Sequence, residues 1–125
     1  MFSNEAGTIS LCGNILQLRI TDGDCEEDVF REILGVIQKV FRETDVPLRL
    51  ILNSLDEEIR SDVISQLVEF LDSRSLNTEN LLGTAVILSS VQYTFSKILI
   101  DTLKFTKPVG VFCSEIEAAE FVASL

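Results

Sequence analysis

The 125-residue sequence contains no histidine and no tryptophan, and it has only three cysteines, two prolines and one tyrosine. Without histidine, a serine or cysteine nucleophile lacks its usual general base, and a zinc site lacks its common nitrogen ligand. Cys12, Cys25 and Cys113 are odd in number and far apart, which is not a disulfide framework and favours a reducing compartment. We therefore expect a cytoplasmic protein without catalytic residues, bound metal or cofactor.

Positive charge is also scarce, since ten Lys and Arg residues face twenty Asp and Glu residues and the net charge is −10. That balance argues against nucleic-acid partners, which need clustered basic side chains. The longest uncharged window runs from Asn80 to Ser96, falls short of a typical span and is interrupted by polar residues and Gly83, so no membrane-spanning helix is expected. The start, MFSNEAG, has no basic segment and no long apolar segment, so no signal peptide is expected either.

The acidic run from Asp22 to Asp28 fails as a calcium loop, because Glu27 stands where the loop needs glycine and Ile33 where it needs a bidentate glutamate. The carboxylates complement the dipole of the helix that follows. The six glycines form neither a dinucleotide motif nor a P-loop. An enzyme would require carboxylates such as Asp22 and Glu26 to converge in one pocket, and this is the minority interpretation.

The sequence does contain apolar segments of strand length, and the most continuous of them follows Val46 and Pro47. Its apolar residues form a near-continuous run, which predicts a central strand of roughly Leu48–Asn53 that is covered on both faces of a sheet. The neighbouring strands are expected to be the segment Thr84–Leu88 and one strand of an opening hairpin. With 125 residues and 46% apolar content, the chain is long enough for a single domain with its own core.

Periodicity and capping signals predict the other elements in the order ββαβαβαβα. The predicted strands are Thr8–Leu11, Ile15–Ile20 and Pro108–Phe112, and the predicted helices are Glu26–Arg42, Glu57–Ser73, Ser89 or Ser90 to Phe105, and a last helix capped by Ser114 with Glu117. A polar loop is expected from Asn77 to Asn80. This order indicates an α/β fold with a mixed, mostly parallel sheet of about five strands and one antiparallel edge.

The third helix is apolar around more than half of its circumference. One side is expected to face the core and consists of Val91, Phe95, Ile98, Leu99, Leu103 and Phe105. Tyr93 and Ile100 extend the apolar arc to the opposite side, with Leu103 nearby. Such a helix is either buried on two sides within the monomer or covered by a second copy, a protein partner or a lipid.

The turn after the central strand carries a second candidate surface, formed by Asn53, Ser54, Ser61 and Asp62. These polar groups lie near a helix amino terminus, where N–H donors and the helix dipole favour an anion or a phosphorylated hydroxyl. The alternative is that they are only capping residues, since Asn, Ser and Asp are the usual caps.

Three stretches carry a resemblance to a known family: LRLILNSL, TAVILSSVQ leading to KILIDTLKFTKPVGVF, and the ending EIEAAEFVASL. In these stretches and in its element order, the chain resembles STAS-like proteins. These are the group around the bacterial anti-sigma-factor antagonists and their divergent STAS/SEC14-type relatives. In that family the central strand carries an Asp, where Asn53 stands here. An Asp-Ser pair follows in the family, with a phosphorylated serine, and Ser61 and Asp62 occupy those positions in inverted order. The resemblance implies a regulatory or binding module and, on the SEC14-like side, a lipid or other apolar ligand.

We therefore expect residues 1–125 to form one STAS-like domain that acts without chemistry of its own. It would act through a protein partner or a homodimer, using the turn and the apolar face of the third helix. The alternative is a carrier or sensor of a lipid or other apolar small ligand, with the third helix as the wall of its cavity.

Overall fold

The computed structural model describes residues 1–74, 76 and 78–125, and these form one six-stranded sheet with four helices. The strands are β1 (Phe2–Ser3), β2 (Gly7–Cys12), β3 (Ile15–Ile20), β4 (Leu48–Ser54), β5 (Leu81–Leu88) and β6 (Val109–Phe112). The helices are α1 (Glu27–Glu43), α2 (Ser61–Leu71), α3 (Ser90–Asp101) and α4 (Glu115–Ala123). The α/β class and the mixed sheet are confirmed, and the short β1 is the one strand that was not predicted.

The strands lie side by side in chain order, from β1 at one edge to β6 at the other. The pairs β1–β2 and β2–β3 are antiparallel, whereas β3–β4, β4–β5 and β5–β6 are parallel. The hairpin between β2 and β3 turns at Gly13, which adopts the positive φ of 61° that a tight hairpin turn needs. The antiparallel edge is therefore the β1–β3 side, as expected.

The central strand is β4, paired with β3 on one side and β5 on the other. Leu50 and Leu52 point into the larger core and are 0% and 1% exposed, while Ile51 points into a smaller core on the opposite face. Helices α1, α2 and α3 contribute to the larger core, and α4 covers the other face. Burial on both faces explains why this strand has no polar alternation.

The second helix begins at Ser61, so the predicted start at Glu57 is wrong. The chain before Ser61 uses its backbone groups in contacts with other loops instead of in a helical turn. Gly23 lies against Glu58 so closely that a Cβ at Gly23 would stand 1.9 Å from the Glu58 carbonyl oxygen. The Arg60 N–H donates to the Gly23 carbonyl at 3.3 Å, and the Ile59 backbone bonds to a side chain of α3.

Two further boundaries differ from the sequence expectation. Helix α3 ends at Asp101 instead of Phe105, because the chain has to leave the helix to enter β6 at Val109. Phe105 still packs against the larger core from that connection. The predicted polar loop from Asn77 to Asn80 is only partly covered, since Asn77 lies outside the described residues. At its end, the Asn80 amide donates to the Thr44 carbonyl at 2.8 Å.

The last helix is held at both ends. At its start, the Ser114 hydroxyl accepts the Glu117 N–H at 3.3 Å, as the predicted cap requires. At its end, Arg49 of β4 donates to the carbonyl oxygens of Val122 at 2.5 Å and of Leu125 at 2.7 Å. A guanidinium at a helix carboxyl end satisfies otherwise unpaired carbonyls and complements the dipole.

We predict that Arg49→Met lowers the free energy of unfolding by about 1.5–3 kcal/mol, the range for hydrogen bonds that involve a charged group. The measurement is urea unfolding, and the control is Lys39→Met on the exposed side of α1, which should change stability by less than about 0.5 kcal/mol. Equal effects of the two substitutions would contradict a capping role for Arg49.

Candidate functional site

Asn53 and Ser54, the first half of the predicted turn site, are buried at the end of β4, each 2% exposed. The Asn53 side-chain oxygen accepts the Leu55 N–H at 3.0 Å, and its amide donates to Glu115 at 3.4 Å. The Ser54 hydroxyl donates to the Ile87 carbonyl at 3.0 Å. Both side chains therefore hold the end of the strand in place, with their polar groups directed to partners within the chain.

Ser61 and Asp62, the second half, are exposed in the first turn of α2. Asp62 forms an ion pair with Arg60 at 3.2 Å, and the Ser61 carbonyl accepts the hydroxyl of Ser65 at 3.2 Å. Within the described part of the chain, no hydrogen bond or ion pair links these two residues to Asn53 or Ser54. The turn thus splits into a buried pair and an exposed pair, and a partner could reach only the exposed pair directly.

An ionic group that the sequence did not indicate lies near Asn53. Arg19 of β3 stands 3.5 Å from Asp56 and 3.7 Å from Glu115 of α4. These side chains are between 44% and 77% exposed, so each pair contributes little to stability. The three residues are far apart in the chain. The parallel pairing of β3 with β4 places Arg19 beside Asn53, close to Asp56, and the start of α4, where Glu115 accepts a hydrogen bond from Asn53, completes the group.

Helix α3 presents the opposite face to that expected from its sequence. Ile100, predicted on the outer side, is 4% exposed and belongs to the core, and Tyr93 packs against that core half-buried. Of the predicted outer residues only Leu103 is exposed, at 41%. Conversely, the expected core residues Val91, Phe95 and Ile98 are 75%, 69% and 63% exposed. The prediction for Ile100 is therefore wrong, and the exposed apolar side of α3 is the other one.

Gln92 explains this orientation. Its side-chain oxygen accepts the Ile59 N–H at 2.9 Å, and its amide donates to the Ile59 carbonyl at 2.6 Å, so the amide completes the backbone hydrogen bonds of a buried residue. One turn further along, Ser96 is 1% exposed, and its small side chain lets the helix approach its neighbours closely. With Gln92 and Ser96 facing inwards, Ile100 also faces inwards, because positions four apart share a face.

Val91, Phe95 and Ile98, spaced i, i+4 and i+7, form one line along the helix, which we call the α3 stripe. Beside it runs a groove of about 420 Å³ between α2 and α3. The lining residues are Ser61, Ile64, Ser65, Val91, Gln92, Phe95, Ser96 and Leu99. Ser96 forms the floor, and its buried hydroxyl has no hydrogen-bond partner among the described residues. The groove thus has apolar walls and small hydroxyl side chains, and none of its lining residues is charged.

Two titratable side chains, Cys25 and Lys97, have a raised pKa. Burial, followed by the negative charge of Asp22, raises the pKa of the Cys25 thiol, so this cysteine stays protonated and unreactive at neutral pH. The hydrogen bond that the Lys97 ammonium donates to Asp101 raises the pKa of Lys97, which keeps the ammonium charged on the surface. Across the described ranges, no three side chains of the His, Cys, Asp and Glu types are placed to hold a metal ion. Nor is any helix among them long and apolar enough to cross a bilayer.

We predict that Ile100→Ala destabilises the protein by about 2–5 kcal/mol, as core truncations do, whereas Phe95→Ala changes stability by less than about 0.5 kcal/mol. The two residues lie on one helix with opposite exposure, so each is the control for the other in a thermal or urea unfolding series. The reverse ranking would mean that α3 presents Phe95 to the core.

The cysteines should differ in reactivity, because Cys12 and Cys113 are exposed and Cys25 is buried. At neutral pH we expect iodoacetamide to modify Cys12 and Cys113 at least about tenfold faster than Cys25, read by mass spectrometry of peptides. In denaturant all three should react at similar rates. Rapid modification of native Cys25 would show that the loop around it opens.

Comparisons of the chain with family models, with curated proteins and with solved structures found no match. The resemblance to STAS-like proteins therefore continues to rest on the element order and on the apolar segments quoted for it. On its own surface the molecule offers a partner the α3 stripe and the adjoining groove, which together combine three exposed large apolar side chains with a concave wall.

Proposed function

We propose that this chain is a non-enzymatic protein-interaction module of STAS-like type that binds its partner through the α3 stripe and the α2–α3 groove. The observation that carries the proposal is the exposure of Val91, Phe95 and Ile98, three large apolar side chains in one line on a single helix. Exposed apolar surface of this kind usually marks a contact site, because leaving it in water is unfavourable.

The position of this surface supports the same proposal. The α2–α3 groove begins at the first turns of α2 and α3, which follow the carboxyl ends of β4 and β5. In open α/β sheets, this end commonly carries the binding site. Ser61 belongs to the groove, so a partner seated there would also meet the exposed half of the predicted turn site.

The absence of histidine and the protonated state of Cys25 support a module without covalent or acid–base chemistry. Three unpaired cysteines, two of them exposed, support a reducing compartment, and we propose the cytoplasm. We also propose that the module is regulatory, on the ground of the STAS-like resemblance, in which a serine after the central strand is phosphorylated.

A carrier of an apolar ligand is the second candidate, favoured by the groove volume of about 420 Å³, which falls in the range of small-molecule sites. The groove is open to solvent along one side, so a lipid chain in it would keep part of its surface in water. Native mass spectrometry of the purified protein distinguishes the two candidates, because only the carrier retains a bound lipid.

The interaction proposal predicts that Phe95→Glu abolishes partner capture from an extract of the native host. Phe95 is 69% exposed, so the charge should be tolerated by the fold and rejected by an apolar interface. The matched control is Ile116→Glu on α4, which replaces an equally exposed apolar residue, 73% exposed, on the opposite face of the sheet.

Proteins captured by the wild type and by Ile116→Glu, but lost with Phe95→Glu, would support the proposal. Circular dichroism and a melting curve confirm that both variants are folded. Equal capture by all three proteins would place the contact elsewhere on the molecule.

A further inference from the structure

We infer that the partner for the α3 stripe is a second copy of this chain, packed with its α3 antiparallel to the first across a twofold axis near Phe95. This inference rests on the proposed function and names the occupant of its surface. It follows from the symmetry of the stripe, from the distribution of charge along α3, and from the area available for contact.

The stripe can pair with itself. Phe95 lies near its middle, with Val91 on one side and Ile98 on the other. In a twofold contact between antiparallel helices, Phe95 meets its own copy, and Val91 of one protomer meets Ile98 of the other. A contact of this kind needs one self-complementary patch, which is what an isologous dimer uses.

Charge changes sign along α3. The segment from Asp56 to Asp62 lies at the start of α3, anchored through Ile59, and has four carboxylates, of which Asp56 pairs with Arg19 and Asp62 with Arg60. Glu57 and Glu58 leave this end acidic. Beyond the end of the helix, the connection to β6 carries Lys104 and Lys107, whereas Lys97 within the helix pairs with Asp101. An antiparallel pair places the acidic end of each helix beside the basic end of the other, whereas a parallel pair places like charges together.

This local pattern matters more than the net charge of −10, since interactions between exposed charges are screened over about 8 Å at physiological ionic strength. Complementary charges at the two ends of a contact fix its orientation and speed association more than they raise affinity. The apolar centre and the charged ends thus favour the same antiparallel register, in which each acidic segment faces a lysine-bearing end.

The surface area that two copies can bury indicates the class of interface to expect. The stripe and the walls of the adjoining groove on both copies would bury on the order of 1,000 Å² in total, which is the lower end for specific interfaces. An interface of that size suits a reversible dimer and not an obligate one, and we take a Kd on the order of 100 µM as the value to test. Each protomer has its own core on both faces of the sheet, so it does not need the partner to fold.

Sedimentation velocity of the full chain between about 10 and 500 µM tests the inference, a range chosen to bracket the expected Kd. We expect the wild type and Ile116→Glu to shift from monomer towards dimer over this range, and Phe95→Glu to dimerise much less at each concentration, with a Kd raised at least about tenfold. A wild type that remains monomeric at 500 µM overturns the inference, and so does a dimer that Phe95→Glu leaves unchanged.

Orientation is tested by disulfide trapping in a Cys12→Ser/Cys113→Ser background, which keeps only the buried Cys25. Val91→Cys and Ile98→Cys chains, one carrying a mass tag, are oxidised separately and as a mixture. The antiparallel pair predicts rapid cross-linking only in the mixture. Cross-linking of either variant with itself at the rate of the mixture would overturn the antiparallel arrangement.

The experiments distinguish failure of the dimer proposal from failure of the interaction-surface proposal. If the wild type stays monomeric but captures a host protein that Phe95→Glu does not capture, the dimer proposal is wrong and the interaction-surface proposal is supported. If the sedimentation and cross-linking results are as expected, the second copy is supported whatever the extract contains. If there is neither a dimer nor Phe95-sensitive capture, both proposals fail.

Discussion

Burial of β4 on both of its faces is the constraint on which the remaining structure depends. Leu50 and Leu52 enter the larger core, and Ile51 enters the smaller one. Apolar side chains on both faces require cover on both faces, and helices on the two sides of the sheet provide it. The same strand places Arg49 under the end of α4 and Asn53 near its start, so β4 positions both ends of the helix that covers its second face.

The two faces of the sheet are covered by different numbers of helices, and this difference decides which parts of the sheet are exposed to water. In the described part of the chain, helices α1, α2 and α3 contribute to the larger core, whereas α4 is the one helix on the opposite face. On that opposite face the antiparallel strands carry polar residues, among them Thr8, Ser10 and Gln17, and these are exposed or half-buried. Polar residues next to water need no cover, so this part of the sheet is stable without a second helix. Three of the large apolar residues left in water, Val91, Phe95 and Ile98, lie in one line on α3, on the side of the larger core.

The sequence was sufficient for the class of fold, the central strand and the sheet, because the runs in β4 and β5 are almost wholly apolar and the hairpin has Gly13 at its turn. It was insufficient for the rotation of α3. Apolar residues occur all round this helix, so hydrophobic periodicity gives no preference between the side of Phe95 and the side of Ile100. The decision comes from Gln92, whose amide bonds to the backbone of Ile59, a residue 33 positions away. Side-chain bonds to a distant loop leave no periodic signal, and the same applies to the early part of the predicted second helix, where Glu57 and Glu58 belong to a loop fixed by Gly23.

The close approach of Gly23 to Glu58 joins the two loops that follow the carboxyl ends of β3 and β4. The loop after β3 and the loop after β4 touch backbone to backbone with no room for a side chain between them, and the next residue, Ile59, is bonded on both its N–H and its carbonyl to Gln92. These direct contacts connect the acidic segment around Asp22, through Glu58 and Ile59, to the first turn of α3. The placement of the first turn of α3, and with it the rotation of the exposed apolar line, therefore depends on the conformation of the loop after β3.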